Sequence, residues 1–389
     1  MCASNLRVSP TVRPTVAIDV TPLVGARTGI GSAVAETVGA LNRLEAGPDL
    51  VPYTLSTRAR LHRDDVPPDT RFVPLPARIL LRSWARGDTP RIDRWLRPAN
   101  VVHATNYLAP PSRLPTLVSV YDCSFVRYPE LCTPEVRAFD PAVRRAVARG
   151  ATLHTGSEFV AGEIEEIFGP GLRASGRLVV IPLGIPPLGD VAVMPPDVAA
   201  AVGDAPFVVA IGTLEPRKNF AHLVGAFGEV ARDHADVRLV IAGSDGPARP
   251  EVDAALRRLE PGARERVVLA GPVSDAGKRA LLERATVLAY PSIYEGFGFP
   301  VLEAMTAGLP VVAARAGSIP EVAGDAAVLV EPTNEQTLAG ELDRVMTDEA
   351  TRAELIARGR DRVHAFSWSS TARALTSCYR QLAESGGRA

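Results

Sequence analysis

Short apolar runs of four to six residues recur along the chain, separated by longer stretches whose apolar residues fall at helical spacing. In the first half they are Val16 to Val20, Val101 to Ala104, Leu117 to Tyr121 and Leu178 to Pro182. In the second they are Phe207 to Ile211, Leu239 to Ala242, Val267 to Ala270, Thr286 to Tyr290 and Pro310 to Ala313. Runs that are uniformly apolar mark strands buried on both faces, and their alternation with helices predicts parallel sheets in an α/β protein. Between the two sets lies Leu183 to Pro206, rich in proline and glycine, which reads as a linker. The expected architecture is two Rossmann-like, doubly wound domains facing a central cleft. A flexible tail is expected at 1–15, one domain over 16–190 and a second over 191–365. Open α/β sheets bind ligands beyond the C-terminal ends of their strands, so function is expected between the halves.

A chain of 389 residues has room for two such cores. With 46% apolar and 22% charged residues, disorder, collagen and coiled coil are excluded. No apolar stretch approaches the roughly 18 residues of a membrane span. The first fourteen residues lack the apolar segment of a secretion signal, so the cytosol is the expected compartment. Cys2, Cys123, Cys132 and Cys378 form no CxxC and no zinc-like spacing with histidine, so they read as structural thiols and no metal is expected. A net charge of −1 gives no support to nucleic-acid binding. The distribution says more. Through Asp190 there are 22 basic and 18 acidic residues, and beyond it 21 and 26. Of the 43 basic residues only Lys218 and Lys278 are lysine, so each lysine asks for a reason.

The most informative segment is Ala285 to Pro310, which reads as strand, glycine loop, then a helix opened by Pro300 and closed by Gly308. Glycines in Gly296-Phe297-Gly298-Phe299 allow close backbone approach, and the helix amides after them suit a phosphate. Glu295 and Glu303 would repel a phosphate. They make sense as acceptors from neutral hydroxyls, Glu295 from a sugar and Glu303 from a ribose. The plainer alternatives are a solvated loop residue and a helix-dipole partner. A second segment, Phe207 to Phe220, ends a buried strand at Gly212 and Thr213 and delivers Arg217-Lys218 before a helix. Fixed cations there would stabilise a leaving diphosphate without a metal; the alternative is a solvated helix start. A third, Ile18 to Ser32, carries Gly25, Gly29 and Gly31 after a strand. It suits phosphate approach or simple turn chemistry, and its spacing is not that of a nicotinamide or flavin site. Tyr121-Asp122 would place a phenol and a carboxylate at the cleft, or Asp122 would cap the next turn. His103 would contact the cleft or be satisfied locally. Residues 78–97, with six arginines, two aspartates and Trp84, Trp95, Leu80 and Leu81 between them, read as a peripheral contact for anionic membrane or as a solvated face broken by Pro90.

Taken together these segments resemble the retaining glycosyltransferases of family 4, which have the two-Rossmann GT-B fold. The resemblance covers nearly the whole chain. Glu295 to Glu303 looks like the E-x7-E signature, Arg217-Lys218 in GTLEPRKN like the phosphate pair, and GARTGIG like the N-terminal glycine loop. Also similar are SEF at Ser157 to Phe159, PEVAGDAA at Pro320 to Ala327 and FSW at Phe366 to Trp368. The wording is most similar to bacterial mannosyltransferases of O-antigen assembly. This implies a nucleotide-sugar donor, GDP-mannose, bound by the C-terminal domain, and a glycan or lipid-linked acceptor bound by the N-terminal one. It also implies a final helix, 366–389, crossing back onto the N-terminal domain. Where the family has His-Asp, this chain has Tyr121-Asp122, and a phenol cannot act as an imidazolium near neutral pH.

The expected activity is therefore retaining transfer of a hexose to a hydroxyl, with Arg217, Lys218, Glu295, Asp122 and Tyr121 at the reacting centre. Gly29, Gly31, Gly212, Thr213, Gly296, Phe297, Gly298, Phe299 and Glu303 would bind the donor. No D-x-D carboxylate pair occurs, so neither metal nor further cofactor is expected. The competing readings are a nucleotide-sugar-binding partner with impaired turnover and a sugar phosphorylase or epimerase of the same architecture.

Overall fold

The computed structural model describes residues 13–25, 29–55, 57–75, 77–84, 86–189 and 191–386. The expected tail up to residue 12, with Cys2, and residues 26–28 of the first glycine loop lie outside them. The first sheet comprises β1 (Thr15–Asp19), β2 (Asp49–Thr54), β3 (Arg71–Phe72), β4 (Val101–Ala104), β5 (Thr116–Ser119), β6 (Thr152–Thr155) and β7 (Leu178–Val180). Its order is β3-β2-β1-β4-β5-β6-β7 and every pairing is parallel. The second comprises β8 (Phe207–Ile211), β9 (Arg238–Ala242), β10 (Val267–Gly271), β11 (Val287–Tyr290), β12 (Val311–Ala314) and β13 (Val328–Val330). It is also parallel throughout, in the order β10-β9-β8-β11-β12-β13. Both sheets are doubly wound, and in each the strand order reverses beside its first strand, where a crevice opens for ligands.

Four of these strands were not among the apolar runs. β2 contains Pro52, β3 has two residues, β13 has three, and β6 reads Thr-Leu-His-Thr although all four of its residues are buried. The linker is not coil throughout, since Pro196–Val202 forms a helix that buries Val198 and Val202.

The last helix, Trp368–Gly386, packs on the helix Gly29–Arg43 of the first half. Trp368 Nε1 donates to the Ile185 carbonyl at 2.9 Å and Thr371 Oγ1 to that of Pro182 at 2.7 Å, so the end of the chain is tied to the linker. Gly184 makes room for this crossing, because a Cβ there would lie 2.4 Å from the Trp368 nitrogen. One apolar cluster runs from Val16 and Ile18 through Trp368, Leu375 and Tyr379 to Val209 and Leu288, so the two sheets share a continuous core.

Candidate active site

After β11 the chain turns through Glu295 to Gly298 and enters the helix Phe299–Thr306. Gly298 makes the turn at φ +93°, and a Cβ there would lie 2.5 Å from Ile319 Cδ1, so both backbone and space require glycine. Among the described residues no protein acceptor meets the amides of Gly296, Phe297, Gly298 and Phe299. Pro300, at the second helical position, has no N–H to offer. The donors for an anion are thus loop amides and not the helix interior. Phe297 is buried, with its ring against Phe299 and Phe366.

The second sheet supplies the cations. β8 ends at Ile211, Gly212 and Thr213 follow it, and a 3-10 turn at Pro216–Lys218 leads through left-handed Asn219 into the helix Phe220–Asp233. Lys218, only 8% exposed, lies along Gly212, where a Cβ would come within 3.3 Å of its Cε. Its Nζ donates to Glu295 Oε1 at 2.5 Å and to the Tyr290 hydroxyl at 2.9 Å. Arg217 Nη1 meets Glu295 Oε2 at 3.0 Å, while its Nε pairs with Glu215 at 2.8 Å. Burial opposes ionisation of Glu295, but Lys218 and then Arg217 outweigh it and hold its carboxyl down at about 2. Glu295 is therefore a buried anion that holds both cations in place, not a solvated loop residue.

Glu303, 4% exposed, accepts a hydrogen bond from Lys278 Nζ at 2.7 Å. It stands in the second turn of its helix, away from the N-terminal amides, so the helix-dipole reading does not account for it. Each glutamate of the pair thus holds one of the chain's two lysines. Lys278 comes from the helix Asp275–Arg284 after β10. Sequence reasoning noticed its rarity but gave it no role.

The first sheet meets this loop from the other side. Gly29 and Gly31 form the first turn of the helix Gly29–Arg43, Gly29 exposed and Gly31 buried. Tyr121, just after β5, is half-buried with its ring edge-on to Tyr107, and burial pushes its hydroxyl well above the usual tyrosine range. It is the Tyr121 carbonyl that faces the opposite domain, since a Cβ on Gly296 would lie 1.9 Å from it. Asp122 braces the turn into the helix Ser124–Arg127, with Oδ1 accepting from Ser124 N at 3.0 Å and Ser124 Oγ at 2.7 Å. His103 is likewise locally satisfied and only 2% exposed. Its Nδ1 meets the Tyr379 hydroxyl at 2.7 Å and its Nε2 the Ser119 hydroxyl at 2.9 Å.

Other residues at this junction had no signal of their own in the sequence. Asp19, at the end of β1, is buried, which raises its carboxyl to about 6 against hydrogen bonds from Thr21. Tyr294, Glu163 and Glu321 join the two domains. Tyr294 and Glu321 lay inside quoted motifs, but no spacing rule told them from their neighbours. Among the described residues, no cluster of three or more His, Cys, Asp or Glu side chains is placed to hold a metal, and no helix is long and apolar enough to cross a membrane.

This geometry sits in the segment matched by a family model. Residues 196–362 match the model described as glycosyl transferases group 1. That segment is a group 1 glycosyltransferase domain. It contains Arg217, Lys218, Lys278, Glu295 and Glu303, and so the whole of the charged site. Over 300 residues, 75% of this chain and 78% of the relative, the protein is 27% identical to O-antigen chain mannosyltransferase B of Escherichia coli. Over 177 residues, 45% of this chain and 46% of the relative, it is 33% identical to the phosphatidyl-myo-inositol mannosyltransferase of Mycobacterium leprae. Among solved structures, sucrose-phosphate synthase from Thermosynechococcus elongatus superposes with a TM-score of 0.70 at 21% identity, covering 95% of this chain and 99% of that one. The likeness therefore extends to both Rossmann-like domains, in the GT-B arrangement around the group 1 domain.

Proposed function

We propose that the protein is a metal-independent, retaining hexosyltransferase that moves mannose from GDP-mannose to a hydroxyl of a glycan or lipid-linked acceptor. The observation that carries this reading is Glu295 bound to Arg217 and Lys218 beside a loop of free amides, where the strand ends of both domains meet. A donor diphosphate would displace Glu295 from the two cations and accept hydrogen bonds from the loop amides. Glu295 then accepts from a sugar hydroxyl and Glu303 from a ribose hydroxyl. As the bond from the anomeric carbon to the phosphate oxygen breaks, the sugar gains oxocarbenium character. The departing oxygen gains charge, which the fixed cations meet, and it takes the proton of the attacking hydroxyl. Mannose rests on the names of the two mannosyltransferases to which the chain is similar, and guanosine on the motif resemblance alone.

A peripheral contact with anionic membrane through 78–97 belongs to the same reading. Leu80 and Trp84 are core residues, which narrows the patch expected from sequence, but Ile79 is 58% exposed on the helix Ala77–Trp84. Nearby, Arg82, Leu108, Ala109, Pro141, Arg145 and Arg149 line a cavity of about 160 Å³, the last two arginines also pairing with Asp88. Guanidinium groups over apolar surface suit a lipid phosphate.

The deciding experiment is thermal stability of the metal-free protein against nucleotides and sugar nucleotides, followed by transfer assays with and without chelator. A ligand at 100 times its Kd adds about 2.7 kcal/mol. Selective stabilisation by GDP and GDP-mannose is expected, lost in Glu303→Ala; selectivity for UDP would overturn guanosine, and no stabilisation would overturn the transferase reading. A phenol at Tyr121, where the family has histidine, favours one second reading, a protein that binds sugar nucleotide without turnover. Binding with no transfer to any hydroxyl acceptor, and activity gained in Tyr121→His, would establish it.

A further inference from the structure

Two motifs quoted from the sequence, SEF and PEVAGDAA, have no part in the charged site, yet they meet across the domain interface. The Glu321 carboxylate accepts from the backbone amides of Glu158 at 2.8 Å and Phe159 at 3.0 Å. A side chain of the C-terminal domain thus caps the N-terminal domain's helix Glu158–Phe168. The N-cap of that helix, Ser157, donates its hydroxyl to the Gly296 carbonyl at 2.9 Å. One turn further, Glu163 accepts from the Tyr294 hydroxyl at 2.5 Å and from Arg127 Nε at 2.9 Å, and the same Tyr294 hydroxyl accepts from the Cys123 amide at 2.8 Å. The Tyr294 ring lies between Tyr128 and Phe159.

Consecutive residues therefore answer to opposite domains. Tyr294 and Gly296 are held by the N-terminal domain, and Glu295 between them by Arg217 and Lys218 of its own. The backbone of Glu295 is fixed by Ser318, whose amide and hydroxyl both donate to its carbonyl at 3.0 Å. Ser318 directly precedes the helix Ile319–Ala323 that carries Glu321. Whatever separates the domains must break the Tyr294 and Glu321 contacts and pull on both sides of Glu295.

We propose that Tyr294 and Glu321 are positioning residues forming an interdomain clasp that closes the cleft and aligns Glu295 with the donor sugar in one movement. The proposal rests on the transferase reading for its kinetic consequence but not for its structural one. Tyr294→Phe keeps the ring and removes the hydroxyl. Glu321→Gln, at an exposed position that tolerates change, removes the charge over the helix amides. Solution scattering of the protein without substrate is expected to give a larger radius of gyration for both variants than for the parent. In assays, kcat for transfer is expected to fall about tenfold with donor KM within about twofold of the parent. The share of donor consumed by water, which gives free sugar and nucleoside diphosphate, should rise as the cleft opens. A merely structural role would lower the melting temperature without changing the partition between transfer and hydrolysis. Should Tyr294→Phe not fold, Glu321→Gln reads the same two quantities. Parent-like scattering in both variants overturns the clasp; altered scattering in a protein whose parent transfers no sugar leaves the clasp standing and overturns the transferase reading alone.

Discussion

At the scale of single residues, the choice of lysine at 218 is a matter of shape. Its stem lies along the bare Cα of Gly212 and its buried ammonium is held by Glu295 and Tyr290, a site shaped by a straight side chain ending in a point charge. Lys218→Arg keeps the charge and loses the fit, so kcat/KM for transfer is expected to drop about tenfold or more, with nucleotide affinity reduced less. A parent-like rate in Lys218→Arg would show that charge alone suffices. Gly296 makes a similar demand across the interface. A Cβ would overlap the Tyr121 carbonyl, and an ångström of displacement at a reacting centre costs on the order of 100-fold in rate. Gly296→Ala is therefore expected to fold and bind nucleotide while transferring about 100-fold more slowly, and transfer within a few-fold of the parent would refute that overlap. The rarity of lysine pointed to both Lys218 and Lys278, but only pairing in three dimensions shows why 278 is one of them.

At the scale of elements, the strands legible in the sequence were those in which apolar residues predominate, and β6, with one apolar residue in four, was hidden by its chemistry. His154 of β6, Ser119 of β5 and His103 of β4 form a buried chain of hydrogen bonds through the middle of the first sheet, ending at Tyr379 on one side and the Ile181 carbonyl on the other. The carbonyl can only accept, which fixes every proton. His154 Nε2 donates to Ile181, Ser119 to His154 Nδ1, His103 Nε2 to Ser119, and Tyr379 to His103 Nδ1. Polar residues are thus fully satisfied inside a sheet, a pattern that hydropathy reads as loop. Burial lowers His103 to about 3, with the nearby His154 adding to the effect, and lowers His154 itself to about 4. Unfolded, each takes up a proton near pH 6.5, so below that the unfolded chain binds more protons and stability falls by about 1.4 kcal/mol per pH unit for each histidine. Asp19 acts in the opposite sense. Its folded carboxyl binds a proton near 6 and its unfolded one near 3.8, so it returns stability as pH falls through 6. The loss from these groups is therefore expected to set in near pH 6.5 and, with Asp19 offsetting roughly one histidine, to run at about 1.4 kcal/mol per pH unit between pH 6 and 5. Urea unfolding between pH 7.5 and 5 should give a shallower slope for His103→Gln than for the parent; equal slopes would mean that His103 is not held neutral by the fold.

At the scale of the whole molecule, two doubly wound domains and the linker between them could be read from strand runs and the proline-rich stretch, because each reflects local composition. The way the halves are joined could not, because it depends on contacts between residues far apart in sequence. The helix Trp368–Gly386 is the clearest of these, and its crossing was implied by the family resemblance and not by local pattern. It buries Trp368, Leu375 and Tyr379 in the core cluster shared by both sheets, and its Tyr379 starts the histidine chain of the first. Burying side chains of this size is worth about 1.5 to 3 kcal/mol each, so the three together are comparable with the 5 to 15 kcal/mol that keeps a domain folded. A chain ending at Ser367 leaves the helix Gly29–Arg43 uncovered and His103 without its donor, whereas the interior of the second sheet, around Val208, Phe227 and Leu239, is untouched. Loss of the final helix should therefore weaken the first domain far more than the second. Calorimetry of the parent is expected to show one transition, and of the shortened chain two, with the lower one carrying the first sheet. The upper transition alone should still rise on adding GDP, since Arg217, Lys218, Lys278, Glu295 and Glu303 all lie in the second domain. A single transition at the parent's temperature after truncation would mean that the shared core is not what couples the halves, and would shift that role to the polar contacts of Tyr294, Ser157 and Glu321.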